Sequence, residues 1–541
     1  MMTEKLQLMN PNSPSTPSKY LHSNIYSLQW KPWPDDIPPD ISGLPSIDHA
    51  TYLFNTTKFH LRQHYRFYDE AAFISRMQDF YRGNAQEKAT EDRLWFAQFL
   101  IVMAFGKAFL AKSPDPHGPP GSKYFVRAMA LMPDLASLWK DSLLAIEVLV
   151  LAGIYLYSID QRECAHVNVG QAMRIAQLEG LHTQLPEEEL GSDTVIRGRN
   201  LWWNLYNLDR HISTSLGLPV SVADSDITTL VNASCNNSKE DTIFGLQVKL
   251  SHLLSVISST ICRNEKTQLG SFLESTRSIL HTLAGHAQEF ESIVQIDLPN
   301  LVETETMPRG ERHITLLYHK CVIVATRPLL LSLLQERLDK LGHGDENWRS
   351  FLALTTNLIS TGIKSAVKSL QILFSEDSIL VFDLEFAYGA ALHLIMTNAL
   401  FPGTDEHGYV QQTLALLDEM ISKGNKVAEV RRAELVRLQG LCQELAIQSE
   451  QRGLETLNLA VPEGPEIVSD NAAGGGPQQA PPVPVARTVA MTPEDSLHSP
   501  SAVDPNTGSN NEFLDNLGIS SYEFFSLVNQ LENQDIPPAI W

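Results

Sequence analysis

Proline crowds the two ends of this sequence: eight fall within residues 1–45 and nine within 461–505, which together hold seventeen of the thirty in the chain. A proline inside a helix removes a hydrogen bond and collides with the preceding turn, so helices avoid it. The interval 46–460 is therefore the part free to be helical. Its apolar residues recur at steps of three and four nearly throughout, and alternate in strand fashion almost nowhere.

The spacing predicts helices near Phe73–Arg82, Glu91–Lys112, Asp134–Ser158, Cys164–Leu178, Thr194–Leu216, Asp241–Arg263, Gly270–Ile293, Glu311–Leu341, Trp348–Phe374, Ile379–Phe401 and Gly408–Ser449. Asp134, behind Pro133, is placed to cap the third, and Gly180 to close the run that begins at Cys164. The fold class is all-α. No fixed-period repeat supports a helical solenoid.

Two stretches, FLIVMAFGKAFLA and LLAIEVLVLAGIYLY, are the most apolar, yet Lys107 and Glu147 interrupt them. Both fall short of the ~18–20 apolar residues that cross a bilayer and read as core helices, so no membrane partner is expected. The N-terminus has no apolar run of the signal-peptide kind, and residence inside the cell is expected. The sequons at Asn55, Asn232 and Asn236 are then chance. Cys164, Cys235, Cys262, Cys321 and Cys442 stand singly with no C-x2-C pair, a pattern of reduced thiols rather than of disulfides or a thiolate zinc site.

Net charge is −22, and eleven of those charges lie beyond residue 452, where twelve acids face Arg487 alone among basic residues. Binding DNA phosphates through a protein surface needs clustered Lys and Arg. The densest basic spots here, RGRN and VRRAELVR, sit in amphipathic helical patterns, so direct DNA binding by these residues alone is disfavoured.

Catalytic signatures are missing: no GxxxxGK[ST] phosphate loop, HExxH zinc helix, GxSxG elbow or Gly-rich dinucleotide turn occurs. DDIPPD (Asp35–Asp40) has the acid density of a magnesium site, but two prolines keep it off a helix, and the faint echo in DLASLWKD (Asp134–Asp141) reads better as a cap. His281 with His286 and Cys164 with His166 miss the spacing that sets two ligands on one helical face. The acid run Pro186–Glu189 reads as a solvated loop before a helix. No catalytic residue, cofactor or metal is assigned, and an enzyme is not expected.

One constellation stands out. An apolar helix, a polar turn and a helix with Ala165, Val169, Ala172 and Ala176 at close-packing spacing are followed by RGRNLWWNLYNLDRHISTSLGLPVSVADSDI. Here Leu201, Leu205, Leu208 and Ile212 form an apolar stripe flanked by Trp202 and Tyr206; Gly217 and Pro219 end the helix, and Asp224–Ile227 make the exit turn. A purely structural role accounts for every one of these residues. The order GQAMRIAQLEGLH, RGRNLWWNLYNLDR, GLPVSVADSDI nevertheless resembles the middle regulatory region of fungal-specific transcription factors, with Gly180, His182, Arg199, Trp202, Trp203, Asp209, Arg210 and Asp226 at the motif positions. TYLFNTTKFHLRQHYRFYDEAAFISRMQDFY and LYHKCVIVATRPLLLS, with Arg327 and Pro328, extend the likeness over roughly residues 48–400.

That resemblance implies a nuclear transcription regulator with a six-cysteine binuclear zinc cluster, a dimerising coiled coil, this helical domain and an acidic activating tail. The first 163 residues hold no cysteine, so no cluster can form within them. Either an upstream exon supplies it, or promoter contact comes through a DNA-binding partner regulator in a homo- or heterodimer.

Four parts are expected: a flexible proline-rich arm (1–47), a multi-helix regulatory domain (48–455), a disordered linker (456–511) and an acidic, aromatic segment (512–541). In the last, Phe513, Leu517, Tyr522, Phe524, Phe525, Leu527 and Leu531 are candidates for docking on the transcription machinery. The alternative for that segment is a final helix folded onto the body. Three functions follow in order: a regulator of a metabolic pathway, such as a secondary-metabolite gene cluster; a small-molecule receptor or helical enzyme with a pocket near Trp202, Trp203 and Tyr206; and a repressing dimer partner of a complete zinc-cluster factor.

Overall fold

The structure, a computed structural model, describes residues 25–451 apart from residue 27 and the stretches 62–64, 66–68, 112–117, 135–136, 232–238, 262–268, 302–307, 340–346, 375–382 and 402–406. The expected linker and acidic segment, with all seven candidate docking residues, lie outside the described residues.

Sixteen α-helices and no strand occur among the described residues. The opening group is α1 (Ile47–Leu61), α2 (Glu70–Arg82), α3 (Ala85–Glu91), α4 (Arg93–Phe109) and α5 (Ser122–Ala130). The middle group is α6 (Ser142–Ser158), α7 (Arg162–Leu178), the single turn α8 (Glu187–Leu190) and α9 (Ser192–Leu216). There follow α10 (Lys239–Thr260), α11 (Leu269–Leu301), α12 (Arg309–Asp339), α13 (Asn347–Phe374), α14 (Asp383–Leu400), α15 (His407–Ser422) and α16 (Lys426–Gln451).

Packing runs in series: α1 on α4, α4 on α6, α6 on α7, α7 on α9, α9 on α10, α10 on α12, and α12 on α13 and α14, with α16 closing on α14. One continuous apolar core links them from Ala50 to Leu445. The two most apolar stretches lie within it as expected, and α6 is buried on every side from Leu144 to Tyr157. Apolar residues on all faces leave a helix no stable place except between other helices. The apolar run Arg309–Leu334 of α12 has the length to cross a bilayer, but 72% of it is buried inside the protein, as in a core helix.

Small residues set the closest approaches. Ala165, Val169, Ala172 and Ala176 are all fully buried against α6, where a Cβ on Gly153 would stand 2.7 Å from Val169 Cγ2. At Gly106 a Cβ would stand 2.6 Å from the Leu53 carbonyl oxygen, so α1 and α4 touch backbone to backbone.

Several boundaries differ from those the spacing predicts. Asp134 accepts a bond from Ser137 N and caps only a local turn; a 3-10 turn (Leu138–Asp141) intervenes, and Asp141 caps α6 by accepting from Leu144 N. The expected Glu91–Lys112 helix is α4 and begins at Arg93, because Asp92 breaks from helical geometry to cap it at Trp95 N, with α3 ending just before. Gly408–Ser449 is split, at Gly424 with φ +89° and Asn425, whose side chain caps Ala428 N. The acid run at Pro186 forms the exposed turn α8 rather than a loop. Helices α1, α3 and α5 were not expected from spacing; α1 carries its buried Ala50, Leu53, Phe54, Thr57 and Leu61 among seven polar or charged neighbours.

The described part of the proline-rich arm lies on this body. Trp33 N donates to Ala130 O at 2.7 Å, and Tyr26 is buried with its hydroxyl on the Gly424 carbonyl. Two of the three acids of DDIPPD meet basic or backbone groups: Asp35 pairs with Arg93, and Asp40 accepts from Ser42 N, which with its neighbour Arg127 holds the Asp40 carboxyl below its usual range.

Candidate functional site on the central helix

Helix α9 carries most of the motif residues, and three polar groupings meet it. Its apolar stripe is buried as expected: Leu201, Leu205, Leu208 and Ile212 are at most 1% exposed. Its end is a left-handed Gly217 (φ +68°), with Leu218 N bonded back to Ser213 O.

The first grouping fastens the loop that follows α9. Asp209, buried, accepts from both Ser221 N and Ser221 Oγ. Arg210, fully buried, donates to Val222 O and to Asp224 Oδ1, both at 3.0 Å, and its guanidinium carbon lies 3.4 Å from the Tyr206 ring centroid. Tyr206 OH donates to Asp224 Oδ1 at 2.6 Å. Burial works against a charged Asp224, but the Tyr206 hydroxyl and the Arg210 guanidinium outweigh it and hold this carboxyl below the usual range. Burial and the neighbouring Asp224 push the Tyr206 phenol up, against the opposing pull of Arg210. Asp226 is exposed and, among the described residues, takes only the Ser225 hydroxyl, so the structure joins Arg210 to Asp224 and leaves Asp226 outside.

A second grouping lies at the start of the motif. Gly180 adopts φ +72° after α7, with Leu181 N bonded back to Ala176 O, as its expected closing role requires. The next turn is held by Thr228 N and Thr229 N, both donating to the His182 carbonyl. This seats the His182 ring 5.7 Å from fully buried Trp202. Trp203 bonds Leu230 O through Nε1, and Arg199 stands half-buried one turn before Trp202.

The third was not foreseen from the sequence. Glu385 of α14 receives His211 Nε2 at 2.9 Å, Lys320 Nζ of α12 at 3.3 Å and the Tyr157 hydroxyl of α6. Lys320 Nζ also lies 3.5 Å from His211 Nδ1, so the His211 ring presents an acceptor to lysine and a donor to carboxylate. Burial opposes charge on Glu385, yet Lys320 and His211 outweigh it and hold the carboxyl well below its ordinary value. Burial, then Lys320, push His211 down against the pull of Glu385. Arg162 and Arg431 share Asp160 nearby, carrying the charge network on to α16. A fourth contact, Gln98 and Arg197 on buried Glu147, ties α4, α6 and α9. A charge inside an otherwise apolar helix was the available signal; Glu147 showed it plainly, and Glu385, in DLEFAYGAAL, showed it too.

These groupings hold helices in register, and the charges of the first and third are internally paired. Among the described residues no three His, Cys, Asp or Glu side chains are placed to hold a metal ion.

What the fold and this helix define is an all-helical module. Residues 52–296, from α1 into α11, match the fungal specific transcription factor domain. An uncharacterised transcriptional regulatory protein of Schizosaccharomyces pombe is 22% identical over 416 residues, covering 74% of this chain and 50% of its own length. Activator of stress genes 1 of Saccharomyces cerevisiae is 24% identical over 49% of this chain and 28% of its own, and the thiamine repressible genes regulatory protein thi1 of S. pombe 19% over 55% and 39%. This chain thus spans half or less of the length of these relatives. No solved structure matches it significantly.

Proposed function

We propose that the chain is a nuclear transcription regulator of a metabolic pathway, such as a secondary-metabolite gene cluster, in which residues 48–455 form the regulatory body and 512–541 the segment that contacts the transcription machinery. The carrying observation is the continuity of the fold: the helices of the matched domain are fastened to those downstream through Glu385, so a signal received on either side reaches the other as a shift of one packed body.

Promoter contact on this reading comes through a DNA-binding partner, in a homo- or heterodimer. The basic spots of the sequence support it, because three of their arginines are spent internally: Arg197 on Glu147, Arg431 on Asp160 and Glu434, Arg432 on Asp418. Guanidinium groups in such pairs are not free to displace counterions from DNA.

The test tethers the full chain, and the chain ending at residue 455, to a heterologous DNA-binding domain before a reporter. Activity from the full chain, lost on truncation and reduced by Phe524→Ala with Phe525→Ala, is expected. A silent full chain removes the activation reading, and equal activity of both chains removes the tail from it.

A further inference from the structure

Tyr26, near the start of the described arm, joins two turns that the sequence keeps far apart. Gln161 Nε2, in the turn between α6 and α7, donates to the Tyr26 carbonyl at 2.6 Å. The Tyr26 hydroxyl donates to Gly424 O at 3.3 Å and accepts from Lys426 N at 3.1 Å, both in the turn between α15 and α16. The Lys426 ammonium stands 5.5 Å from the Tyr26 ring centroid, and Tyr26 itself is buried. One residue of the arm thus clips Gln161 to Gly424.

The rest of the arm anchors that clip. Pro32, Pro34, Pro38, Pro39 and Pro45 lack N–H donors and favour an extended, semi-rigid backbone, which leaves the arm carbonyls to offer. Four helices take them: Tyr81 of α2 donates to Pro45 O, Gln86 of α3 to Pro39 O, Arg93 of α4 to the Pro34, Asp35 and Ile37 carbonyls, and Arg127 of α5 to Ser42 O. Trp30 adds an edge-to-face contact with Phe125.

The α6–α7 turn that the clip grips holds Asp160 at φ +63°, the one non-glycine with positive φ among the described residues. A Cβ makes that conformation costly, and it persists where the surroundings over-determine it. Here Arg162 and Arg431 of α16 hold the Asp160 carboxylate, while the neighbouring Gln161 is held by the arm. Helices α15 and α16 pack on each other and on α13 and α14, all beyond residue 296, where the family match ends. The turn is therefore tied to this last hairpin twice, directly through Arg431 and indirectly through Tyr26.

We propose that residues 25–45 form a strap with a conformational latch at Tyr26: closed, it joins the hairpin α15–α16 to the α6–α7 turn, and open, it frees both turns together. Anchorage on α2–α5 makes the latch sensitive to displacement of the opening helices, because a proline-stiffened chain has little slack to absorb it. The latch is read on the purified chain without a reporter, so its failure leaves the transcriptional reading standing.

Amide hydrogen exchange of the full chain, followed by mass spectrometry, reads both turns in one measurement. Gln161→Met removes the bond at one end of the clip, and Tyr26→Phe the two hydroxyl bonds at the other; both nearly keep side-chain volume. Gln161→Met is expected to raise exchange by about fivefold at residues 159–165 and also at 422–428, with which Gln161 forms no hydrogen bond. Tyr26→Phe is expected to do the same at 422–428 and also at 159–165. Unchanged protection of α4 shows that each variant is folded; should one unfold, the other carries the test alone, since each reads the end it does not touch. The proposal is overturned if exchange rises only at the end where the bond was removed, or at neither.

Discussion

His211 and Glu385 meet at 2.9 Å across 174 residues of sequence, joining the motif helix α9 to α14 with Lys320 closing the triangle. Removing one charge of a buried pair leaves the other uncompensated, at a cost of about 3–5 kcal/mol. Glu385→Gln is expected to destabilise at the lower end of that range, read as the midpoint of urea unfolding at neutral pH. Adding Lys320→Met should recover part of the loss, since the stranded cation is then gone. The charged carboxylate is the favoured form in the fold, so its contribution is present above the ordinary carboxyl pKa and disappears as pH falls through the depressed folded value. An acid limb that survives unchanged in Glu385→Gln contradicts this.

Glu147 titrates in the opposite sense. Burial pushes its carboxyl up from 4.5 to about 7, against the pull of Arg197 and Gln98. The folded chain therefore holds a proton that the unfolded chain has lost, and stability from this group is full below pH 4.5 and declines as pH rises to about 7. Glu147→Gln, which can keep a hydrogen bond to Gln98, should flatten unfolding midpoints measured across that window. A parent and variant with parallel profiles would remove the assignment.

The helical body was legible because it rests on local periodicity. Leu201, Leu205, Leu208 and Ile212 announce one face of α9 whatever the tertiary contacts are. Boundaries were less so: Asn425 caps a new helix inside the uninterrupted periodic run Gly408–Ser449, and only the backbone reveals the break. The motif residues were visible through their resemblance, yet Asp224 rather than Asp226 meets Arg210, since a two-residue difference in a turn is decided by geometry. Glu385 and Lys320 could not be paired with His211 from sequence, because their contacts span separations with no periodic trace.

Gly106 is fixed by a neighbour 53 positions away, Leu53, whose carbonyl oxygen would lie 2.6 Å from an added Cβ. That atom is backbone of α1, which cannot swing aside as a side-chain end could. The approach is further held by Thr57 Oγ1 donating to Val102 O at 2.9 Å. Gly106→Ala is expected to cost about 1–3 kcal/mol, the price of overpacking, despite alanine's better helix propensity. Thermal unfolding of parent and variant reads the sign, and a variant as stable as the parent would show that α1 and α4 do not touch.

Arg210 provides the sharpest test of the loop that follows α9. Its planar guanidinium bridges Val222 O and Asp224 while lying over Tyr206, three contacts that a single ammonium on a shorter reach cannot reproduce. Arg210→Lys keeps the charge and should still destabilise by about 2 kcal/mol, because buried acceptors lose their donor. Asp226→Ala, in the same turn but exposed and bonded only to Ser225, should stay within about 0.5 kcal/mol of the parent. Chemical denaturation of the two variants side by side separates a packed anchor from a motif residue at the surface: equal losses would mean that Asp226 joins the anchor in solution, and a neutral Arg210→Lys would mean that the bridge to Val222 carries no weight.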